Sequence, residues 1–155
     1  MSALSKHTAS ILQKADEKCT RAGTRLTVKR AALLGLLVEA ARPLSAYELV
    51  ALYNQSEEQT IQPMSAYRIL QFLQSEELVH KLETQNKYIA CSHISCSHAH
   101  QVPQFLVCRK CHKVSEINLP AGIVDELSTQ AKLSGFELDE SRIELDGVCK
   151  DCGLD

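Results

Sequence analysis

Four of the seven cysteines stand in two matched pairs, Cys108-Arg109-Lys110-Cys111 and Cys149-Lys150-Asp151-Cys152. A two-residue gap lets both thiolates of a pair face one cation about 2.3 Å away, and two pairs complete the closed tetrahedral sulfur shell of a structural zinc. The 37 residues between the pairs are more than a minimal zinc ribbon needs, so the metal is expected to tie together two ends of a small α/β unit. Other uses of the motif are a redox Cys-x-x-Cys, or two disulfides whose two-residue rings would be strained. The matched spacing favours zinc.

A second density of ligand types lies upstream. Residues 78–83 and 87–91 read as two short strands around a Gln85-Asn86 turn. With a two-residue loop, His80 sits directly opposite Cys91, at the Cβ separation of about 4.5–5.5 Å that lets two side chains share an ion. His93, Cys96, His98 and His100 follow closely, and Glu116 lies five residues past Cys111. A set such as His80, Cys91, His100 and Glu116 would be tetrahedral and would draw on both halves of the chain. His98 competes with His100, and Cys96 stays open between spare thiol and alternative ligand. Sulfur with imidazole favours zinc, whereas His and carboxylate alone would suit iron or manganese. A site that bridges two units can act as a switch, because its occupancy favours the docked arrangement. Cys19 reads as a buried core thiol.

These residues need elements to hold them. Residues 3–22 read as an amphipathic helix with Leu4, Ile11, Leu12, Ala15 and Cys19 near one face, closed by Gly23. Thr27 is placed to cap a second helix running to about Ala41, with Ala31, Leu34, Leu37 and Val38 facing inward, and Pro43 stops it. Ser45-Ala46-Tyr47-Glu48 is a capping box for a third helix. Pro63 opens a fourth, with Ala66, Ile69, Leu70 and Leu73 inward and Tyr67, Arg68, Gln71 and Ser75 on another face. Helices followed by a hairpin within about 90 residues describe the winged-helix form of the helix-turn-helix. Downstream, residues 105–108 and 113–119 read as strands, 121–134 as a helix ended by Gly135, and 136–146 as one or two strands.

Charge is divided along the chain in the same way. Residues 1–90 carry 11 Lys/Arg against 9 Asp/Glu, and residues 91–155 carry 6 against 10. Within residues 1–30 the count is 7 against 2. A basic start joined to an acidic end fits an N-terminal half that meets a polyanion. No apolar run reaches 18 residues and no secretion signal is visible, so a reducing cytoplasm is the expected setting, with no membrane partner.

Read together, the segments Arg25-Leu26-Thr27-Val28-Lys29-Arg30, Ser45-Ala46-Tyr47, Ala66-Tyr67-Arg68-Ile69-Leu70 and Leu78-Val79-His80-Lys81, with the two Cys-x-x-Cys pairs, follow the order of the ferric uptake regulator family. The chain resembles the zinc uptake regulator branch over essentially its whole length. The resemblance implies an α+β homodimer with a winged-helix DNA-binding domain over 1–91, a hinge over 92–103, and an α/β dimerisation and metal-binding domain over 104–155. It implies a repressor of zinc uptake genes on AT-rich palindromic double-stranded DNA, with zinc as corepressor and two zincs per chain. Tyr67 and Arg68 match the recognition helix, and Tyr47 a second DNA-contacting position. Arg25, Lys29 and Arg30 match the basic segment near the phosphates, and Ser65 can cap its helix or touch phosphate. His80, Cys91, a His before the first Cys pair and Glu116 match the regulatory ligands. Cys108, Cys111, Cys149 and Cys152 match the structural site.

The chain departs from the family pattern at Val28, where Pro is usual, and at Met64-Ser65-Ala66, where Pro-Thr-Val is common. His112 replaces the Gly that usually follows the first Cys pair, and Ser141 stands where other branches place a further His ligand, so that site is not expected. Two other readings differ in kind: an iron, manganese or peroxide sensor of the same family, or a thiol redox protein. A thioredoxin-like pair would sit early in a βαβ unit, whereas these pairs come late. No enzymatic function and no small organic substrate are expected.

Overall fold

The computed structural model describes residues 4–96, 103–138 and 142–153. The chain divides into two compact units, 1–97 and 98–155.

The first unit is four helices followed by a hairpin. Helix α1 (Lys6–Arg21) starts at Ser5, whose hydroxyl accepts from the Thr8 N–H at 3.1 Å. It buries Thr8, Ala15 and Cys19, a spacing of seven and four that marks one helical face. The Ser5 N–H and the Thr8 hydroxyl both donate to the Glu39 carboxylate, which ties α1 to the end of α2 (Val28–Ala40). Thr27 does precede α2, but its hydroxyl makes no capping bond. Helix α3 (Ala46–Ser56) carries the predicted capping box with both bonds formed: Ser45 Oγ accepts from the Glu48 N–H at 3.1 Å, and Glu48 Oε2 accepts from the Ser45 N–H at 2.7 Å. Helix α4 (Pro63–Ser75) has proline in its first turn, where a missing N–H costs nothing.

Leu33, Leu34, Leu37, Leu49, Leu70 and Leu73 are essentially inaccessible and form the centre of this unit. Asn54 holds the turn between α3 and α4, donating from Nδ2 to the Ile61 carbonyl (3.2 Å) and accepting at Oδ1 from the Ile61 N–H (2.8 Å). Strands β1 (Val79–Leu82) and β2 (Lys87–Ala90) pair antiparallel. Leu44 adds a one-residue bridge to Tyr88, exchanging bonds of 2.9 and 2.8 Å.

The hairpin corrects one expectation. Leu82 pairs with Lys87, so the loop has four residues rather than two, with Asn86 in the left-handed region at φ 49°. His80 therefore faces Ile89, and the Cys91 N–H donates to the Leu78 carbonyl at 2.9 Å. The shift is two residues, an even number, so His80 and Cys91 become diagonal neighbours on the same face instead of direct partners.

The second unit is a three-stranded sheet in the order β4-β3-β5 with one helix. Strand β3 (Gln104–Cys108) pairs antiparallel with β4 (Val114–Ile117) and parallel with β5 (Glu144–Gly147). Helix α5 (Ala121–Leu133) supplies the crossover that a parallel pair requires. The strand expected over 136–146 is shorter than predicted. Phe136 instead completes the helix end, its N–H reaching back to the Ala131 carbonyl at 2.9 Å past Gly135 at φ 82°.

Candidate metal centre and nucleic-acid interface

Parallel pairing of β3 and β5 brings the two Cys-x-x-Cys pairs to the same end of one sheet. Cys108 is the last residue of β3, and its register partner is Gly147, two residues before Cys149. The chain leaves β3 through a tight turn carrying Cys111, while Cys149 precedes and Cys152 ends the 3-10 turn Lys150–Cys152. His112 closes the first turn at φ 61°, its N–H donating to the Cys108 carbonyl at 2.8 Å. That backbone region favours glycine, which accounts for the usual residue at this place in the resembled pattern.

The four sulfurs of Cys108, Cys111, Cys149 and Cys152 all lie within 4.8 Å of one another. A tetrahedral shell with metal–sulfur bonds of about 2.3 Å has edges of roughly 3.8 Å; Cys111 Sγ and Cys149 Sγ are 3.6 Å apart. A disulfide would need roughly 2.05 Å, and all seven cysteines are free thiols. Backbone N–H groups of Cys111, Cys149 and Lys110 point at Cys108 and pull its thiol down to about 6. Cys152 is pushed up to about 12, first through its hydrogen bonds with Cys111 and Cys149 and then by burial and the charge at Cys108. One thiolate forms readily and another is opposed by its neighbours, so the full set of four needs a cation among them. The residues fit zinc in number, type and spacing.

In the first unit, a ring nitrogen of His80 and the sulfur of Cys91 lie within 4.8 Å of each other, and both residues are buried. The His93 N–H donates to Cys91 Sγ at 3.4 Å. Imidazole and sulfur thus converge next to the hairpin. Glu116 sits in the middle of β4, opposite Phe105. His98 and His100 lie outside the described residues.

The residues assigned to DNA fall mainly on the outer side of the helix-turn-helix. Burial of Ala66, Leu70 and Leu73 turns Ser65, Arg68 and Gln71 of α4 to solvent. No Asp or Glu occurs in α4, so nothing on it repels a phosphate chain. Tyr67 is half-buried and packs against the core. Tyr47, in the first turn of α3, is 65% exposed. Arg25 and Lys29 are exposed at the start of α2. Arg30 behaves differently: its guanidinium carbon lies 3.4 Å from the centre of the Phe72 ring, and its Nη1 donates to the Arg25 carbonyl at 2.6 Å.

Sequence reading missed the Arg30–Phe72 stack and the Asn54 brace. Both join residues from different elements, although Asn before an extended turn is a recognisable bracing signal.

Comparison with known proteins places this geometry. The ferric uptake regulator family matches residues 21–146. The chain is 34% identical over 145 residues to the zinc uptake regulation protein of Escherichia coli K12, covering 94% of this chain and 82% of that protein. It is 25% identical over 142 residues to the peroxide operon regulator of Bacillus subtilis 168, covering 91% and 92%. Among solved structures, a zinc uptake regulator complexed with zinc and DNA superposes with a TM-score of 0.81 at 32% identity, covering 94% of both chains. With a helix-turn-helix, a hairpin and a four-sulfur centre in matching order, the chain belongs to the ferric uptake regulator family.

Proposed function

We propose that this protein is a zinc-responsive, DNA-binding repressor of zinc uptake genes that acts in the cytoplasm as a homodimer. The observation that carries the reading is the meeting of His80 and Cys91 in the same unit that exposes Arg68. Helix α4 runs directly into β1 through a 2.8 Å bond from the Leu78 N–H to the Leu73 carbonyl, so the reading helix and the His80 strand share one framework. The 34% identity to a zinc uptake regulation protein supports zinc over peroxide or iron, as does sulfur in the ligand set.

In this reading, residues 1–91 form the DNA-binding domain, 92–103 the hinge and 104–155 the dimerisation domain. Two zincs bind per chain. One is structural at Cys108, Cys111, Cys149 and Cys152; the other is regulatory at His80, Cys91, Glu116 and a hinge histidine, His100 or its alternative His98. Zinc at the regulatory set supplies a cross-link between the two domains. Arg68 reads a base edge in the major groove, with Tyr67 and Tyr47 beside it, while Ser65, Arg25 and Lys29 settle on phosphates. A second copy is supported by the second unit's surface. Leu106 and Leu145 are register partners on adjacent strands, and both are exposed, at 42% and 51%. Two such copies present two α4 helices to an AT-rich palindrome, at half-sites spaced by helical turns.

Footprinting of Arg68→Ala beside wild type tests the DNA role. The variant is expected to lose site preference by about 10-fold or more while still dimerising. Protection of the same sites with equal affinity would remove Arg68 from recognition.

A further inference from the structure

We propose that Arg30 is a positioning residue for the reading helix rather than a contact to the phosphate chain. The inference rests on the DNA-binding reading above and deepens it. Arg25, Lys29 and Arg30 form one basic run in sequence, yet the structure separates them. Arg25 and Lys29 point to solvent. Arg30 lies half-buried with its planar cation 3.4 Å above the Phe72 ring and its Nη1 bound to the Arg25 carbonyl at 2.6 Å. One face of the guanidinium and one of its donors are therefore taken up by the protein itself.

The position of Phe72 makes the stack matter. It stands four residues after Arg68 on α4, one turn further along the same side. Phe72 also packs on the unit's main apolar core. Arg30 thus grips the last turn of the reading helix from the first turn of α2, while its bond to Arg25 fixes the basic segment before that turn. A flat guanidinium suits the task because it stacks and donates at once, which an ammonium does less well. In this arrangement Arg30 sets where Arg68 meets the duplex and where Arg25 stands ahead of α2.

Salt dependence separates the two roles. Each phosphate contact contributes about 0.9 to the slope of log affinity against log salt on duplex DNA. The probes are a duplex selected by the zinc-loaded wild-type dimer from a randomised pool and a shuffled duplex of the same composition. For Arg30→Gln, the salt slope is expected to stay at the wild-type value, while discrimination between the duplexes falls about 10-fold. Phe72→Leu, which keeps apolar volume but removes the ring face, is expected to lose discrimination similarly, and the double variant no further. Arg30→Lys keeps the charge and is expected to lose discrimination too. Measurement below the melting temperature of each variant, at equal zinc content, separates these effects from unfolding. A slope reduced by about one in Arg30→Gln, with uniform weakening on both duplexes and rescue by Arg30→Lys, would overturn the proposal. A wild-type protein with no preference for any duplex would instead sink the DNA reading itself.

Discussion

The two units hold themselves together by different means. In the first, leucines from α2, α3 and α4 interlock with Ala15 and Cys19 of α1, and the core continues into Leu78 and Val79 of the hairpin. In the second, the buried apolar residues among those described are Phe105, Val107 and Cys108, all from β3. Helix α5 buries none of its residues, and Ile123, Leu127, Leu133 and Phe136 remain exposed. A unit this small, with so little enclosed apolar surface, is short of the burial that ordinarily stabilises a fold. The difference teaches that the first unit is a self-sufficient reading head, whereas the second depends on what its cysteines and open face can bind. In the proposed reading, a metal at the four sulfurs and a second copy on the open face supply what the core lacks.

The comparison can be broken most forcefully at the sulfur cluster. Structural zinc sites contribute apparent free energies on the order of 10 kcal/mol in small folds. Cys149→Ser should therefore abolish slow hydrogen exchange over 104–117 and leave the amides of Leu34, Leu37 and Leu70 protected. Equal loss of protection in both units would mean that they fold as one body and that the contrast is false.

A smaller effect is expected on the open face. Leu106→Lys places a charge where a partner copy would bury an apolar side chain, and the solvated monomer tolerates it because the site is already exposed. Sedimentation should show the dimer Kd rising by about 100-fold, an effect of hot-spot size, while the unfolding of the first unit stays put. An unchanged dimer would move the interface elsewhere.

The smallest effect belongs to the first unit alone. The Ser45 N–H bond, aided by Lys87 at 3.4 Å, holds the Glu48 carboxyl at about 2 against its usual 4.5. A depressed carboxylate gives stability that is present above pH 4.5 and lost as pH falls toward 2. The cap is worth roughly 1 kcal/mol, less than the shift implies, because more than a third of the side chain is exposed and screened. The stability difference between wild type and Glu48→Gln in urea should shrink over that pH window. A difference that ignores pH would refute the charged cap.

Much of this architecture was readable in the chain. The capping box at Ser45, the proline opening α4 and the inward stripe of Ala66, Leu70 and Leu73 are local signals, and local physics decides them. The two Cys-x-x-Cys pairs announced a shared centre because their spacing is itself geometric. What could not be read depends on partners far along the chain. The loop length at Gln85 and Asn86 was fixed by the pairing of Leu82 with Lys87, which left Asn86 to turn the backbone. Phe136 looked like strand from its alternating neighbours but was claimed by the end of α5. The stack of Arg30 on Phe72 joins residues 42 positions apart, so no local pattern announces it.

The central claim is that a removable zinc, held partly by His80 and Cys91, governs DNA binding while the four-sulfur zinc stays in place. Its most direct test is operator affinity and metal content measured on the same samples, before and after mild chelation and after zinc is restored. The account predicts a fall from two zincs to one per chain, a loss of operator binding of at least about 100-fold, the upper range of effector coupling, and full recovery with zinc but not with ferrous ion. Equal operator affinity in the stripped and loaded protein would contradict it.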